Sequence, residues 1–565
     1  MKPQRPPTAY SQIEIVRLVW LAIFVSVFSF LYYNRAGDVL LYGDAVAHIN
    51  IARRVFDSKT PGLLQLGTVW LPLPHLLIIP FIVSTKLWQT GAGGSIPSLA
   101  GYVLGVLGIF RLVRTTLSSG EADDTAKSMA WIAAIVYGAN PNLIYMQATA
   151  MGESLYLALF IWAVAFFAEF CRGKTEALTK CGLCLAAACL TRYDGWFLAA
   201  VLVAAASVIV SLRRETSAHE TSGRETRESE MPGGATKLST QRTAVIKFAL
   251  IAAAAPVFWL GYNAIVYRNP LEFANGPYSA KAIEHRTGTV NPAKGNLFAA
   301  ASYFIKAAES NVGNANWPGR LWLALALAGS LATGFTGRGR TLLLLWIPLP
   351  FYALSVAYGS VPIFVPQWWP FSLYNVRYGL QLLPAFAVFV PLGFLFLVQK
   401  VATLPQIRAA WRRWAVAAML LATLVLAASC YASIWRSDPV CYSEAAINAR
   451  ARVALDKQLA DWMKWLPPNA TLLMYLGEHS GALEEAAIPL RRVINEGNHR
   501  VWKQPKDSDG LWERALADPA AYADFVVAFE GDPVWTAARD RHLKALVEIH
   551  TTGQAAAVIF QGRAR

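Results

Sequence analysis

Residues 40–58, LLYGDAVAHINIARRVFDS, place Asp44 and His48 four positions apart, with Arg53 and Arg54 close behind, between two apolar stretches. On a helix that spacing puts the carboxylate and the imidazole on one face. Similar groups recur downstream. Gln65 and His75 follow, and Glu153 comes after NPNLIYMQATAMG. Arg192, Tyr193 and Asp194 make the tight turn LTRYDG. Lys281, His285 and Arg286 sit in a long polar segment, and Asn375, Arg377 and Tyr378 open NVRYGLQLLPAF. Such a set suits an anionic, lipid-linked substrate: arginines hold a phosphate, and one carboxylate takes a proton from an attacking hydroxyl. Each residue alone also has a plainer role. Asp44 after Gly43 suits a helix N-cap. Arg192, Arg377 and Lys281 suit interfacial anchors, Glu153 a first-turn dipole partner, and His75 a packed core histidine. What favours chemistry is that acids and bases from separate segments gather at one membrane face.

The elements that must position them are apolar. The chain has 565 residues, 55% of them hydrophobic and 12% aromatic, with a mean hydropathy of +0.36. That composition excludes an ordinary soluble domain and fits a polytopic membrane protein. The net charge of +15 lies mostly in short loops beside apolar runs, as membrane orientation requires, so nucleic acid is not an expected partner. Cys181 and Cys184 have CxxC spacing, but no βαβ pattern surrounds them, and no disulfide framework is visible.

Apolar runs near 14–34, 97–117, 126–146, 150–171, 176–191, 195–212, 244–267, 317–335, 341–358, 378–399 and 414–434 predict about eleven spans. Residues 69–88 are apolar too, but Pro72, Pro74 and Pro80 argue against a straight helix. Lys2, Arg5 and Arg17 place the N-terminus in the cytoplasm, and the first run reads as an anchor rather than a removed signal. If 69–88 dips in and returns, the basic loops carrying Arg111 and Arg114, Arg172 and Lys174, Arg213 and Arg214, Arg338 and Arg340, and Arg412 and Arg413 all fall inside. A full crossing would put them all outside. The dipping arrangement leaves four outer segments: 35–68, 268–316, 359–377 and everything after about residue 435. The expected location is the inner (plasma) membrane, with the tail extracytoplasmic.

That tail reads as a small α/β domain. A long helix over 443–466 precedes short strands in ATLLMYLG, RRVIN, DFVVAFE, LVEIH and AAVIF. The expected division is a membrane domain over 1–435 and a soluble domain over 436–565. DSD at 507–509 has a DxD pattern but lies in a stretch that reads as a polar turn.

The chain resembles the GT-C glycosyltransferases that use polyprenyl-phosphate sugars, among them the dolichyl-phosphate-mannose protein mannosyltransferases and the bacterial aminoarabinose and Rgt-type transferases. The resemblance covers roughly residues 10–435. It rests on GDAVAHINIARRVFDS after the first span, the Pro-rich LPLPHLL, TAMGESLYL, LTRYDG and NVRYGLQLLP. It implies one sugar transferred from a polyprenyl-phosphate donor to a glycan, lipid or protein acceptor outside the cytoplasm, with inversion at the anomeric carbon. Asp44 matches the family's first-loop acid, as base or acceptor-positioning group, with His48 its neighbour. Many relatives have Asp-Glu there; this chain has Asp44-Ala45, so the second acid falls to Glu153 or Asp194. Arg377 and Arg192 would clamp the donor phosphate, helped by Lys281. Arg53, His75, Tyr193, His285, Asn375 and Tyr378 complete the expected substrate-binding set. WWP at 368–370 lacks the acid of the oligosaccharyltransferases' Trp-Trp-Asp, which disfavours en bloc transfer to asparagine. No metal is obligatory for a lipid-phosphate leaving group, though histidines and glutamates in the outer loops leave a divalent ion open. The competing reading is a transporter or flippase of a lipid-linked sugar, which would call for mid-membrane polar residues and paired repeats. A scaffold displaying the tail is a third, and it would not need the cluster around Asp44.

Overall fold

The computed structural model describes residues 12–118, 124–222, 233–314, 316–337, 339–402, 409–477, 479–498 and 510–563. The DSD stretch at 507–509 lies outside them. The chain opens with α1 (Gln12–Ala36), α2 (Gly43–Arg54), α3 (Pro72–Ile82), α4 (Thr85–Gln89) and α5 (Ala92–Leu117). Next come α6 (Asp124–Gly138), α7 (Pro141–Gln147), α8 (Glu153–Cys171), α9 (Ala177–Cys189), α10 (Asp194–Ser222) and α11 (Gly233–Tyr267). The outer segments and later spans supply α12 (Glu272–Asn275), α13 (Ala280–Thr287), α14 (Leu297–Val312), α15 (Asn316–Thr336), α16 (Pro348–Tyr358), α17 (Leu383–Ala402), α18 (Ala409–Arg436) and α19 (Val440–Met463).

This is an integral membrane protein. Among the described residues, eight helical segments are long and apolar enough to cross a bilayer. The other three runs expected from the sequence are helical but differ in form. The 126–146 run breaks at Asn140-Pro141, where the Asn140 side chain accepts from Leu143 N at 3.0 Å and starts α7. Proline at the first helical position cannot continue the hydrogen-bond ladder of α6. The 176–191 run is the 13-residue α9. The third, α15, carries glycine, serine and threonine that dilute its apolarity, and it packs on α17 through Gly329. A Cβ on Gly329 would run into the carbonyl of Phe389, and one on Gly393 into the carbonyl of Leu325, so the small residues set how closely these helices meet.

The Pro-rich stretch is short. α3 has 11 residues, which at 1.5 Å each is about 16 Å, against about 30 Å of bilayer core. Pro72 sits at its start and Pro80 inside it, and the chain turns through Val83 and Ser84 into α4 and then α5.

After α19 the chain forms a five-stranded sheet from β1 (Leu472–Met474), β2 (Val493–Ile494), β3 (Phe525–Phe529), β4 (Ala545–Ile549) and β5 (Ala557–Gln561). The order is β2-β1-β3-β5-β4. β1 pairs in parallel with β2 and β3, while β5 runs antiparallel to β3 and β4. All five segments read as strands in the sequence are strands. Val526, Val527, Val558 and Ile559 are buried. Apolar residues on both faces make a continuous β-branched run, which is why so short a sheet was legible.

This tail is fastened to the first outer segment. Arg491 Nη1 donates to Asp57 Oδ1 at 3.1 Å, Asn498 Nδ2 to Thr60 Oγ1 at 2.9 Å, and Asn50 Nδ2 to Glu484 Oε2 at 3.0 Å. Glu484 is buried, and burial holds its carboxyl well above the usual range.

Candidate active site

The Asp44 carboxylate lies in the first turn of α2 and does not cap it: the N-cap is Tyr42, with no side-chain cap bond. The oxygen is committed elsewhere, accepting from Arg377 Nη2 at 2.5 Å. Arg377 is in the 3-10 helix Val376–Leu382, which follows Asn375 in the left-handed conformation (φ 56°). The rest of its guanidinium is also bound. Nε donates to Glu153 Oε1 at 3.3 Å and Nη1 to Glu444 Oε1 at 3.0 Å. The Tyr42 and Tyr378 rings lie 4.9 and 5.1 Å from its Cζ.

A second arginine shares the site. Arg192 Nη1 donates to the same Glu153 oxygen at 3.1 Å, Nε to Asp194 Oδ1 at 3.2 Å, and Nη2 to the Tyr352 hydroxyl at 2.9 Å. The Tyr352 hydroxyl donates in turn to Asp194 Oδ2 at 3.0 Å. The Arg192 Cζ lies 5.1 Å from the Tyr378 ring. Four carboxylates, Asp44, Glu153, Asp194 and Glu444, thus surround two guanidinium groups. The Asp44 side chain is 33% exposed, whereas those of Glu153, Asp194 and Glu444 are 2%, 5% and 1% exposed. Asp44 is therefore the carboxylate of the four that meets solvent, and the others are fixed inside the protein.

His48 lies one turn along α2 and shares a hydrogen bond with His75 of α3, Nδ1 to Nε2, at 2.9 Å. The Trp70 ring packs edge-on to His48 at 4.6 Å. Burial lowers the His48 pKa against the pull of Asp44 and Glu153, so it stays neutral at physiological pH. Arg54 extends this line, near enough to His75, Tyr267 and Tyr278 to act on them electrostatically. Its Nε is buried without a hydrogen-bond partner among the described residues, and its ion pair to Glu496 is 4.0 Å long.

The fold brings together Asp44, His48, His75, Glu153, Arg192, Asp194, Asn375, Arg377 and Tyr378. Tyr193 stands at the margin, its hydroxyl donating to Val69 O at 3.0 Å and accepting from Trp259 Nε1 at 3.3 Å. Arg53 has structural partners: Asp57 at 2.8 Å, the Ile82 and Val83 carbonyls, and the Trp88 ring. Lys281 and His285 are exposed on α13, and among the described residues no hydrogen bond or ion pair joins them to the cluster. Glu444 and Tyr352 were not singled out from the sequence. Glu444 falls in SEAAINARARVALDK, which reads as a solvated helix, so its burial carried no signal. Among the described residues no group of three or more His, Cys, Asp or Glu forms a metal set. Where Asp44, Glu153 and Glu444 converge, the cation between them is Arg377.

No family model and no curated protein sequence matches this chain. Among solved structures, the chain is similar to ArnT from Cupriavidus metallidurans bound to undecaprenyl phosphate, with a TM-score of 0.52 at 13% identity over 98% of this chain and 99% of that one. The apo form of the same protein matches with a TM-score of 0.46 at 14% identity, covering 94% and 97% of the two chains. An Archaeoglobus fulgidus oligosaccharyltransferase tethered to an acceptor peptide gives 0.38 at 11% identity, covering 98% and 74%. At these identities the likeness is one of fold, and it runs through the tail as well as the membrane helices.

Proposed function

We propose that this chain, which has the fold of the GT-C glycosyltransferases, transfers a single sugar from a polyprenyl-phosphate donor to an extracytoplasmic acceptor. The observation that carries this is Asp44: a solvent-reaching carboxylate gripped by a buried arginine where several membrane helices end. The acceptor hydroxyl oxygen attacks the anomeric carbon while Asp44 takes its proton. The bond from that carbon to the phosphate oxygen breaks on the opposite side, and polyprenyl phosphate leaves as the anion. Configuration inverts. His48 and His75 are buried and joined by one hydrogen bond, a turn along from Asp44, and burial lowers both pKa values, so neither supplies the proton. No metal step is needed, because the leaving group is already a stable anion.

We infer roles for the arginines that differ from the sequence expectation. Arg377 is held by carboxylates at Nε, Nη1 and Nη2, and Arg192 by two carboxylates and the Tyr352 hydroxyl, and four carboxylates around two guanidinium groups disfavour a phosphate. Arg377 therefore positions Asp44, and Arg54, whose Nε has no hydrogen-bond partner among the described residues, is the cation offered to the donor phosphate. Arg54→Ala should weaken binding of undecaprenyl phosphate about tenfold or more, the worth of a charge-assisted contact. Tryptophan fluorescence titration in nanodiscs measures it, and an unchanged Kd removes Arg54 from the phosphate site.

The activity itself is tested with a panel of labelled undecaprenyl-phosphate hexoses and pentoses, with lipid, glycan and protein extracts of the source membranes as acceptors. Transfer of label with release of undecaprenyl phosphate is expected from one of them. Movement of the intact donor across a liposome bilayer without transfer would favour the flippase reading instead.

In the bilayer, we place the N-terminus in the cytoplasm and the tail beyond about residue 435 outside it, as a domain over 436–565 that shapes the acceptor site. The hydrogen bonds that Arg491 and Asn498 donate to the first outer segment, and the one that Glu484 accepts from Asn50, support that placement. A reporter fused after Arg565 should be active only outside the cytoplasm, and a cysteine placed between α10 and α11 should resist an impermeant thiol reagent in intact cells. The opposite pattern would invert the topology.

A further inference from the structure

Arg377 has more counter-ions than its charge requires. Glu153 and Asp44 already bind its Nε and Nη2, and a third buried acid adds a desolvation cost without neutralising anything further. Glu444 nevertheless sits there, its side chain 1% exposed. It collects three donors from one short turn. Oε1 accepts from Asn375 N at 2.9 Å and from Arg377 Nη1 at 3.0 Å, and Oε2 accepts from Arg377 N at 3.2 Å. The turn it holds includes Asn375 at φ 56°, a conformation that asparagine tolerates at some cost and that persists where the surroundings impose it. With the Tyr42 and Tyr378 rings beside the guanidinium, Glu153 and Glu444 fix its in-plane rotation. The edge left over points to Asp44.

The same helix also holds the other partner. Arg452 Nη2 donates to the Leu40 and Leu41 carbonyls at 3.0 and 2.9 Å, and Tyr42 Oη donates to Cys441 O at 2.8 Å. So α19 binds the segment that enters α2 on one side and the Asn375–Arg377 turn on the other.

We propose that Glu444 is a positioning residue for the transfer reaction, holding the Arg377 guanidinium in the orientation that grips Asp44, so that α19 sets the geometry of the base. This rests on Asp44 being the base, as argued above. Glu444 does not touch substrate. It acts through Arg377, and its loss lets the guanidinium rotate toward Glu153 and frees Asp44 to swing. Misplacement of a reacting group by about 1 Å costs on the order of 10²-fold in rate.

The test uses the full chain in nanodiscs, with Glu444→Gln and Glu444→Asp beside wild type. Glutamine keeps the size of the side chain but turns one oxygen into a donor facing donors. Aspartate keeps the charge on a shorter arm. Two readouts are taken on protein quantified by undecaprenyl phosphate binding, so that misfolded molecules do not count. The first is turnover of the donor found in the panel. Glu444→Gln should lower kcat about 10–100-fold with the donor KM within twofold, and Glu444→Asp should recover part of it. The second needs no activity: the rate at which a carbodiimide and a labelled amine modify Asp44, followed by peptide mass spectrometry. Modification should rise at least fivefold in Glu444→Gln and fall back in Glu444→Asp. Wild-type modification of Asp44 in Glu444→Gln, or wild-type kcat per binding site, would overturn the proposal and leave Glu444 a buried counter-ion. If wild type turns over no donor at all, the glycosyltransferase reading falls, while the labelling rates still decide whether Glu444 positions Arg377 against Asp44.

Discussion

Asp44→Asn abolishes transfer in the expected result, lowering kcat about 10²–10⁴-fold, the usual contribution of a positioned general base. The amide keeps the size of the side chain, and its oxygen can still accept from Arg377, but it cannot take a proton. Stability should change little, because the Asp44 side chain is 33% exposed and provides no cap to α2. The measurement is donor turnover, with circular dichroism and melting as controls for the fold. A folded Asn variant that turns over at the wild-type rate would remove Asp44 from the chemistry. Since asparagine is also a good cap, the substitution is silent for helix capping, and the structure has already placed the cap at Tyr42.

Arg377→Ala is expected to act on the fold before it acts on the donor. Glu153 and Glu444 are buried beside this guanidinium, and removing it leaves Glu444 without its ion-pair partner and Glu153 with Arg192 alone. Breaking a buried pair by deleting one partner costs about 3–5 kcal/mol. The variant should melt well below wild type and lose the single symmetric peak in size-exclusion chromatography. Arg377→Lys should recover part of this loss. It restores the charge, but one ammonium cannot reach three carboxylates in the plane that the guanidinium spans. An alanine variant as stable as wild type would mean that the acids are protonated or hydrated without Arg377. It would also undo the argument that this residue organises the site.

Much of the site was legible because charge is costly beside a membrane. Asp44, Glu153, Arg192, Asp194 and Arg377 stand out at the ends of apolar runs, and the fold joins all five. The short strands of the tail were legible for a related reason: apolar runs of two to five residues between turn signals have few other uses. Arg53, Lys281 and His285 looked similar in sequence, yet Arg53 fastens α2 to the end of α3, and the other two lie on an exposed helix. Local pattern reports that a charge is near an apolar run. It does not report which partner the charge will meet.

The sequence by itself determined that this is a multi-span membrane protein with an α/β tail, and that acids and arginines collect at the ends of its helices. Those properties follow from hydropathy, strand pattern and the price of burying charge, all of which are local. Only the tertiary structure decided the pairing. Arg377 lies 333 residues from Asp44, 224 from Glu153 and 67 from Glu444, and no periodicity spans such separations. Packing of α2, α8, α19 and the 3-10 turn after Asn375 brings these groups within hydrogen-bond reach. It sets Arg377 and Arg192, the two expected phosphate clamps, among four carboxylates. It also leaves Asp44, of the four acids, facing water.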